Sequence, residues 1–348
     1  MRLLGKPMYH ILAAIQRNED RELTRNVLDD PLLSFRFMDS KDTFSLEKVD
    51  AIVLSSDFKD DGINLIPLIL EKKLVPILVL LKSDTKVTEG HLRILEFSIV
   101  DSISIDEITP SRKPFLNYRL KVLCKLNLET FRSSIERSIS EDYPKLPRSL
   151  SSVSSLSASN SVLIIGSSAG GPQLVRKILA QLPSRFPPVL VVQHMNNQFS
   201  KLFAERLRES LGKDIHIAKE GLQIQGNHVY VAPGGYHMEI ESKGHRQVIS
   251  LTEGPPVNFV RPSVDVTIFS AVRAFGSRVV VVILSGMGVD GREGSRVVKK
   301  RGGKVVALRQ KDTPVFGMNK SVIESKLADS IVALKEILPT SLQFMREM

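Results

Sequence analysis

Between Val162 and Gln173 the chain reads VLIIGSSAGGPQ, an apolar run that breaks into two serines, an alanine and paired glycines. A turn at the C-terminal end of a parallel strand lies where ligands bind, so three chemistries compete for it. A nucleotide-binding phosphate loop ends Gly-Lys-Ser/Thr, but here the glycines lead into Pro172 and Gln173. A dinucleotide fold needs an acidic residue at the tip of its second strand, and that strand ends Gln193–His194. Gly166, Ser168 and Gly170 meet the third pattern, G-x-S-x-G, in which small neighbours let a nucleophilic serine project from a sharp strand-to-helix bend.

Such a pentapeptide also occurs as a plain glycine turn, so its partners decide. A serine hydroxyl needs a base, and the base needs an orienting carboxylate. Of the seven histidines, His194 alone ends a parallel strand following the serine's own. His237 in PGGYHME is the rival, while His10 lies in an apolar strand and His91, His216, His228 and His245 fall in helix or hairpin positions. The run VVVVILSGMGVDGREGS carries another strand into a glycine-rich loop and places Asp290 at the same sheet edge; Asp214, Asp265, Asp312 and Asp329 lack that placement or follow less specific turns. Gly286, Gly288 and Gly291 let this loop approach the serine and aim N–H groups at an oxyanion, with the amides of Ala169 and Met287 as expected donors. Asp290 also suits the N-cap of the following helix. The order Ser168, His194, Asp290 differs from that of α/β-hydrolases and implies a serine hydrolase on another doubly wound fold.

The elements that must position these residues follow from periodicity. Ser161–Ile165, Pro172–Leu182, Val189–Gln193 and Gln198–Leu211 read strand, helix, strand, helix, and the wholly apolar VLVVQ and VVVVIL are strands covered on both faces. Between Ile215 and Leu251 the turns GNH, PGG and KGH suggest an antiparallel excursion. The segment Arg148–Ser161, with eight serines in fourteen positions, reads as a linker. It divides the chain into residues 1–140, a linker at 141–160, and residues 161–348. The first part repeats the alternation faintly, with strands at Tyr9–Ile15, Ala51–Leu54, Leu74–Leu81 and Ser102–Ile105 and a last helix from Pro114 to Ile139, beside whose apolar stripe Cys124 reads as core filler.

Composition narrows the function classes. The net charge of +10 invites nucleic acid, but Lys and Arg are scattered among acids, with no Trp and only five Tyr for base stacking. An acidic protein partner fits better than nucleic acid. No apolar run approaches the roughly 20 residues of a membrane span, and the N-terminus lacks the features of a secretory signal. A lone Cys124 permits no intrachain disulfide, which fits a cytoplasmic location.

Together IGSSAGGPQ, VVQHM, FAERL, VYVAPGGYHME, GPPVNFVRPSVDV, VILSGMGVDG and VFGM resemble, in order, the chemotaxis protein-glutamate methylesterase family of the CheB type. The resemblance implies that the catalytic serine, histidine and aspartate are Ser168, His194 and Asp290. It implies hydrolysis of γ-glutamyl methyl esters on the cytoplasmic helices of chemoreceptors, releasing methanol, often with deamidation of glutamine at similar sites. It implies no metal or organic cofactor. Ala169 departs from the Thr common beside the nucleophile, although a backbone donor survives the change; Arg261 in RPSVDV is a weaker candidate as a substrate contact.

The family's N-terminal half is a receiver, a flavodoxin-like parallel sheet that accepts a phosphoryl group, and here the expected chemistry is missing. Phosphorylation needs acidic residues for Mg²⁺, an Asp acceptor, and a hydroxyl and a Lys that respond. This chain has Ala13–Ala14–Ile15 after strand one, Ser55–Ser56 at the tip of strand three, Leu81–Lys82 after strand four and Ile105 in place of the Lys. Asp57, Asp60 and Asp61 lie nearby but out of register. A degenerate receiver that is not phosphorylated is expected, with activity constitutive or governed by a regulatory signalling protein bound to it. Two other functions stay open: an amidase or esterase acting on another protein, and a catalytically idle scaffold.

Overall fold

The computed structural model describes residues 8–39, 45–82, 85, 86, 88–95, 99–126, 128 and 161–348. Most of the serine-rich segment, and the end of the helix expected to reach Ile139, fall outside the described residues. The chain packs as two units, Met1–Asp142 and Tyr143–Met348.

The N-terminal unit runs β1 (Tyr9–Ala14), α1 (Asn18–Val27), β2 (Leu33–Met38), β3 (Ala51–Ser55), α2 (Ile66–Lys72), β4 (Ile77–Leu81), α3 (Glu89–Leu95), β5 (Val100–Ser104) and α4 (Lys113–Cys124). Its five strands are parallel in the order β2-β1-β3-β4-β5. The central β3 and β4, AIVLS and ILVLL, are buried throughout, as strands covered on both faces must be. The strand that periodicity missed is β2, LSFRFM, an edge strand whose Arg36 faces water and interrupts its apolar pattern. Leu116, Leu120 and Leu123 of α4 are buried as their stripe requires. Burial, followed by the negative charge of Asp50, pushes the thiol of Cys124 up to about 12, which makes it a poor nucleophile.

The C-terminal unit runs β6 (Val162–Ser167), α5 (Gly171–Leu179), β7 (Val189–Gln193), α6 (Asn197–Leu211), β8 (Asp214–Ile217), β9 (His228–Val231), β10 (His237–Lys243), β11 (Arg246–Thr252), α7 (Val264–Phe275), β12 (Val279–Ile283), α8 (Arg292–Lys300), β13 (Lys304–Leu308), α9 (Met318–Glu324), β14 (Ser330–Val332) and α10 (Ile337–Glu347). Seven of these strands form one parallel sheet in the order β14-β13-β12-β6-β7-β9-β8. The chain moves outward from β6 through β7 on one side and returns to add β12 on the other, so β6 lies where the strand order reverses. That is the crevice in which open α/β sheets place their ligands.

The antiparallel excursion expected between Ile215 and Leu251 is only half correct. Strands β8 and β9 extend the main sheet in parallel, with Val189 opposite Val229 and Ile215 opposite Val229 on its other side. Parallel pairing buries Ile215, Val229 and Val231, which a surface hairpin would leave wet. The true hairpin is β10–β11, in register from His237 and Thr252 to Lys243 and Arg246. Its inner face, Met238, Ile240 and Ile249, packs with Ile268, Ala271 and Val272 of α7, which seats the start of that helix beside the sheet edge.

Candidate active site

Three neighbouring strands deliver the candidate triad to one edge of the sheet. Ser167 pairs with Gln193 at the ends of β6 and β7, so Ser168 and His194 are the next residues across from each other. The His194 amide donates to Ser167 O at 3.0 Å, and the Ser168 amide donates to Ser285 O, beyond β12, at 2.7 Å. Gln193 clamps this junction: its carbonyl accepts the buried Ser167 hydroxyl at 2.5 Å, and its amide donates to Ser168 O at 2.8 Å and His194 O at 3.3 Å. Ser167 is thereby committed to structure, while the hydroxyl of half-buried Ser168 makes no hydrogen bond within the described residues. Serine–base contacts of this kind commonly tighten only when substrate binds.

Asp290 is 2 % exposed, and its Oδ2 lies 2.8 Å from His194 Nε2. Oδ2 also accepts the Val264 amide at 2.7 Å; Oδ1 accepts the Ser263 hydroxyl at 2.8 Å, the Asn258 amide at 3.0 Å and the Asp265 amide at 3.2 Å. Burial alone would raise this carboxyl, but the hydrogen bond and charge of His194, with those from Val264 and Ser263, outweigh it and hold the group below its ordinary value. Asp290 does not cap the helix that follows it, since Gly291 holds that place at φ +90°. It sits instead at the start of α7, where free amides and the helix dipole favour an anion.

The two expected oxyanion donors lie on loops held together at the same junction. The amides of Ala169 and Met287 make no hydrogen bond within the described residues, so both remain available. Ser285 Oγ ties the loops by donating to Ala169 O at 2.7 Å and accepting the Val315 amide at 2.9 Å. Gly170 turns the chain into α5 at φ +72°, a conformation that favours glycine. At Gly286 a side chain would place its Cβ 2.6 Å from Ser168 Cβ, so the loop can come this close only without one.

The rival His237 is a structural residue. Only 2 % exposed, it donates from Nε2 to Pro255 O at 3.0 Å and accepts the Ser263 amide on Nδ1 at 3.2 Å, occupying both ring nitrogens. Arg261 likewise holds the Glu253 and Gly254 carbonyls at 2.6 and 2.8 Å. His216 and His228 stack 5.4 Å apart on β8 and β9, which are parallel strands and not hairpin positions. Sequence reasoning missed Gln193, Asn258, Ser263 and Ser285, and set Asp265 aside although it lies against Asp290. The only available signal was their place inside motifs singled out for other residues. Among the described residues no group of three His, Cys, Asp or Glu is arranged to hold a metal.

In the N-terminal unit the sheet edge carries an ion pair cluster. Lys82 Nζ lies 2.8 Å from both Asp20 Oδ2 and Asp57 Oδ2, and Arg17 lies 3.7 Å from Asp57. Burial would lower the Lys82 ammonium and raise the Asp57 carboxyl, but the hydrogen bonds and charges of Asp20 and Asp57 hold Lys82 raised, and the hydrogen bonds of Lys82 and Ser55 with the Lys82 charge hold Asp57 lowered.

Residues 163–340 match the model of the family described as CheB methylesterase. The chain belongs to that family. An Archaeoglobus fulgidus protein-glutamate methylesterase/protein-glutamine glutaminase is 34 % identical over 86 % of this chain and 85 % of its own length. A relative of the same name from Salmonella typhimurium is 29 % identical over 93 % of this chain and 89 % of its own. The crystal structure of the Thermotoga maritima CheB methylesterase catalytic domain is 36 % identical with a TM-score of 0.52, covering 53 % of this chain and 98 % of that one. The CheB match falls on the C-terminal unit and spans Ser168, His194 and Asp290. Among the described residues no helix is long and apolar enough to cross a membrane.

Proposed function

We propose that this CheB-family chain is a cytoplasmic serine hydrolase that demethylates glutamate methyl esters on the cytoplasmic helices of chemoreceptors, and deamidates glutamines at similar sites. The observation that carries the reading is the buried Asp290 carboxylate 2.8 Å from His194, at the strand tip beside Ser168. An ionised carboxylate only accepts, so His194 carries its proton on Nε2 and offers the lone pair of Nδ1 as the base. Ser168 Oγ attacks the ester carbonyl while Nδ1 takes its proton. The resulting oxyanion accepts from the Ala169 and Met287 amides, which are committed to no other acceptor among the described residues. The imidazolium returns the proton to the departing methoxide, methanol leaves, and a glutamyl ester remains on Ser168. Water, deprotonated by His194, then hydrolyses that ester to free glutamate and the serine. With glutamine the same steps release ammonia.

The receiver-like domain is read as unable to accept a phosphoryl group. Support comes from Lys82, which pairs with both Asp57 and Asp20 at the sheet edge. Control then rests on constitutive activity or on a signalling protein bound to this domain. An acyl phosphate with Mg²⁺ is expected to leave the mass of the protein unchanged, and a gain of one phosphoryl group would refute this.

The deciding experiment for the catalytic reading is methanol release from a methylated receptor fragment by Ser168→Ala. Activity is expected to vanish, along with labelling by a serine-directed phosphonate. Wild-type release by the variant would overturn the nucleophile.

A further inference from the structure

Behind Asp290 lies a second buried carboxylate, and one amide group joins the two. Asn258 Nδ2 lies 3.0 Å from Asp290 Oδ1 and 2.9 Å from Asp265 Oδ2. Only the NH₂ end of an asparagine can face two carboxylates, so each takes one of its two hydrogens. Asp265 is 2 % exposed; its Oδ1 accepts the Gly294 amide of α8 at 2.6 Å, and its own amide donates to Asp290 Oδ1 at 3.2 Å. The charged and titratable groups facing this cluster are His194 from the tip of β7, the two aspartates, and His237, whose Nδ1 meets the Ser263 that binds Asp290. Arg261 makes no hydrogen bond to the cluster; its guanidinium holds the Glu253 and Gly254 carbonyls.

Asn258 also occupies a tight turn. Val257 and Val260 exchange both backbone hydrogen bonds, at 3.1 and 3.0 Å, and the two residues between them have φ of +53° and +65°. A two-residue turn with both central φ positive suits asparagine at its first position, so a purely local role would account for the residue. Its side chain, however, is directed across to two carboxylates on separate segments and not back to its own backbone.

We propose that Asn258 is a positioning residue for the triad: its amide spaces Asp290 from Asp265 and so sets the direction in which Asp290 holds His194. The proposal rests on the reading of Ser168, His194 and Asp290 as the catalytic triad. Removing the amide withdraws a donor from Asp290 and leaves two acceptors facing each other. The Asp290 oxygen then shifts, and misplacement of a reacting group by an ångström costs about a hundredfold in rate. Loss of the donor also leaves more negative potential at the imidazole, which favours its protonated form.

Asn258→Gly separates the two roles, because glycine keeps the positive-φ turn and deletes only the amide. Measured as methanol release from a methylated receptor fragment, kcat is expected to fall about ten- to a hundredfold with KM little changed. The acid limb of the pH–rate profile is expected to move to higher pH. Wild-type kcat and pH profile in a folded Asn258→Gly would overturn the proposal. If Asn258→Gly does not fold, Asn258→Asp, which suits the same positive-φ turn and removes the donor, takes its place, and wild-type kcat and pH profile in it overturn the proposal. Ser168→Ala, assayed alongside, separates the two readings: full activity there defeats the triad itself, whereas an inactive Ser168→Ala beside an unaffected Asn258→Gly defeats only the role of Asn258.

Discussion

Asp290 holds His194 through Nε2, at 2.8 Å, and so leaves Nδ1 as the nitrogen available to a serine. The aspartate is matched by backbone and side-chain donors as well as by the imidazole, so it stays ionised through neutral pH and fixes one tautomer. Asp290→Asn preserves the shape but presents an NH₂ to Nε2, which reverses the tautomer and occupies Nδ1 with a proton. The expected result is a fall in kcat of about 10⁴ with substrate binding retained, as when the same change is made in a serine protease triad. Single-turnover kinetics on a methylated receptor fragment would check it.

Gly286 and Ser168 are too close for any side chain at position 286, since a Cβ there would lie 2.6 Å from Ser168 Cβ. Gly286→Ala should therefore push the nucleophile away from its base and disturb the neighbouring Met287 amide. A loss of about a hundredfold in kcat is expected, with the fold preserved by circular dichroism. The phosphonate labelling rate of Ser168 should fall in parallel.

Asp265 offers a pH signature in stability. Burial, and then the adjacent Asp290 charge, raise its carboxyl to about 7. A raised carboxyl binds its proton more tightly in the folded than in the unfolded chain, whose ordinary value is about 3.9. Its ionisation therefore costs the fold nothing below that value; the cost grows as pH rises and is fully present above about 7. Asp265→Asn removes the charge, so its stability relative to the parent should improve steadily between pH 4 and pH 7 and level off beyond. Urea denaturation across that range measures the slope.

Lys82 is 9 % exposed and pairs with both Asp20 and Asp57 at 2.8 Å. Lys82→Met keeps the length of the side chain, removes the cation from Asp20 and leaves Asp57 only the more distant and exposed Arg17, at 3.7 Å. A loss of about 1.5–3 kcal/mol is expected, in the range of a charged hydrogen bond. The lowered carboxyl of Asp57 sets the sign of the pH dependence: its share is present above the ordinary carboxylate value and disappears as pH falls through the folded one. Denaturation of the full chain at neutral and acid pH tests both parts.

The parallel sheets were legible because wholly apolar strands such as VVVVI and VLVVQ admit few other readings, and glycine turns mark their tips. The edge elements were not. In β2 an exposed Arg36 breaks the pattern, and β8 and β9 are four-residue strands whose short alternation is equally good for a hairpin. What separates the alternatives is whether Val229 pairs with Val189 of β7, a partner about forty residues away. Asp265 was misjudged for a similar reason. Its position within α7 says nothing of a carboxylate arriving from the loop after β12, yet that contact defines its chemistry.

Sequence by itself determined that Ser168, His194 and Asp290 stand at the ends of strands or in the loops just beyond them, because strand periodicity and glycine spacing are local properties. It also shows Ala13–Ala14–Ile15 and Ser55–Ser56 at the strand tips where a phosphoacceptor site would need acidic residues. Tertiary structure alone decided which ring nitrogen of His194 meets Asp290, and that the Asp290 carboxylate accepts from the first amides of α7 and does not cap α8. It alone brought Asn258 between two buried carboxylates and turned Lys82 onto Asp20 and Asp57. The reason is physical: hydrogen bonds and charges act over a few ångströms, and in a doubly wound sheet the residues that close such distances come from segments far apart in the chain.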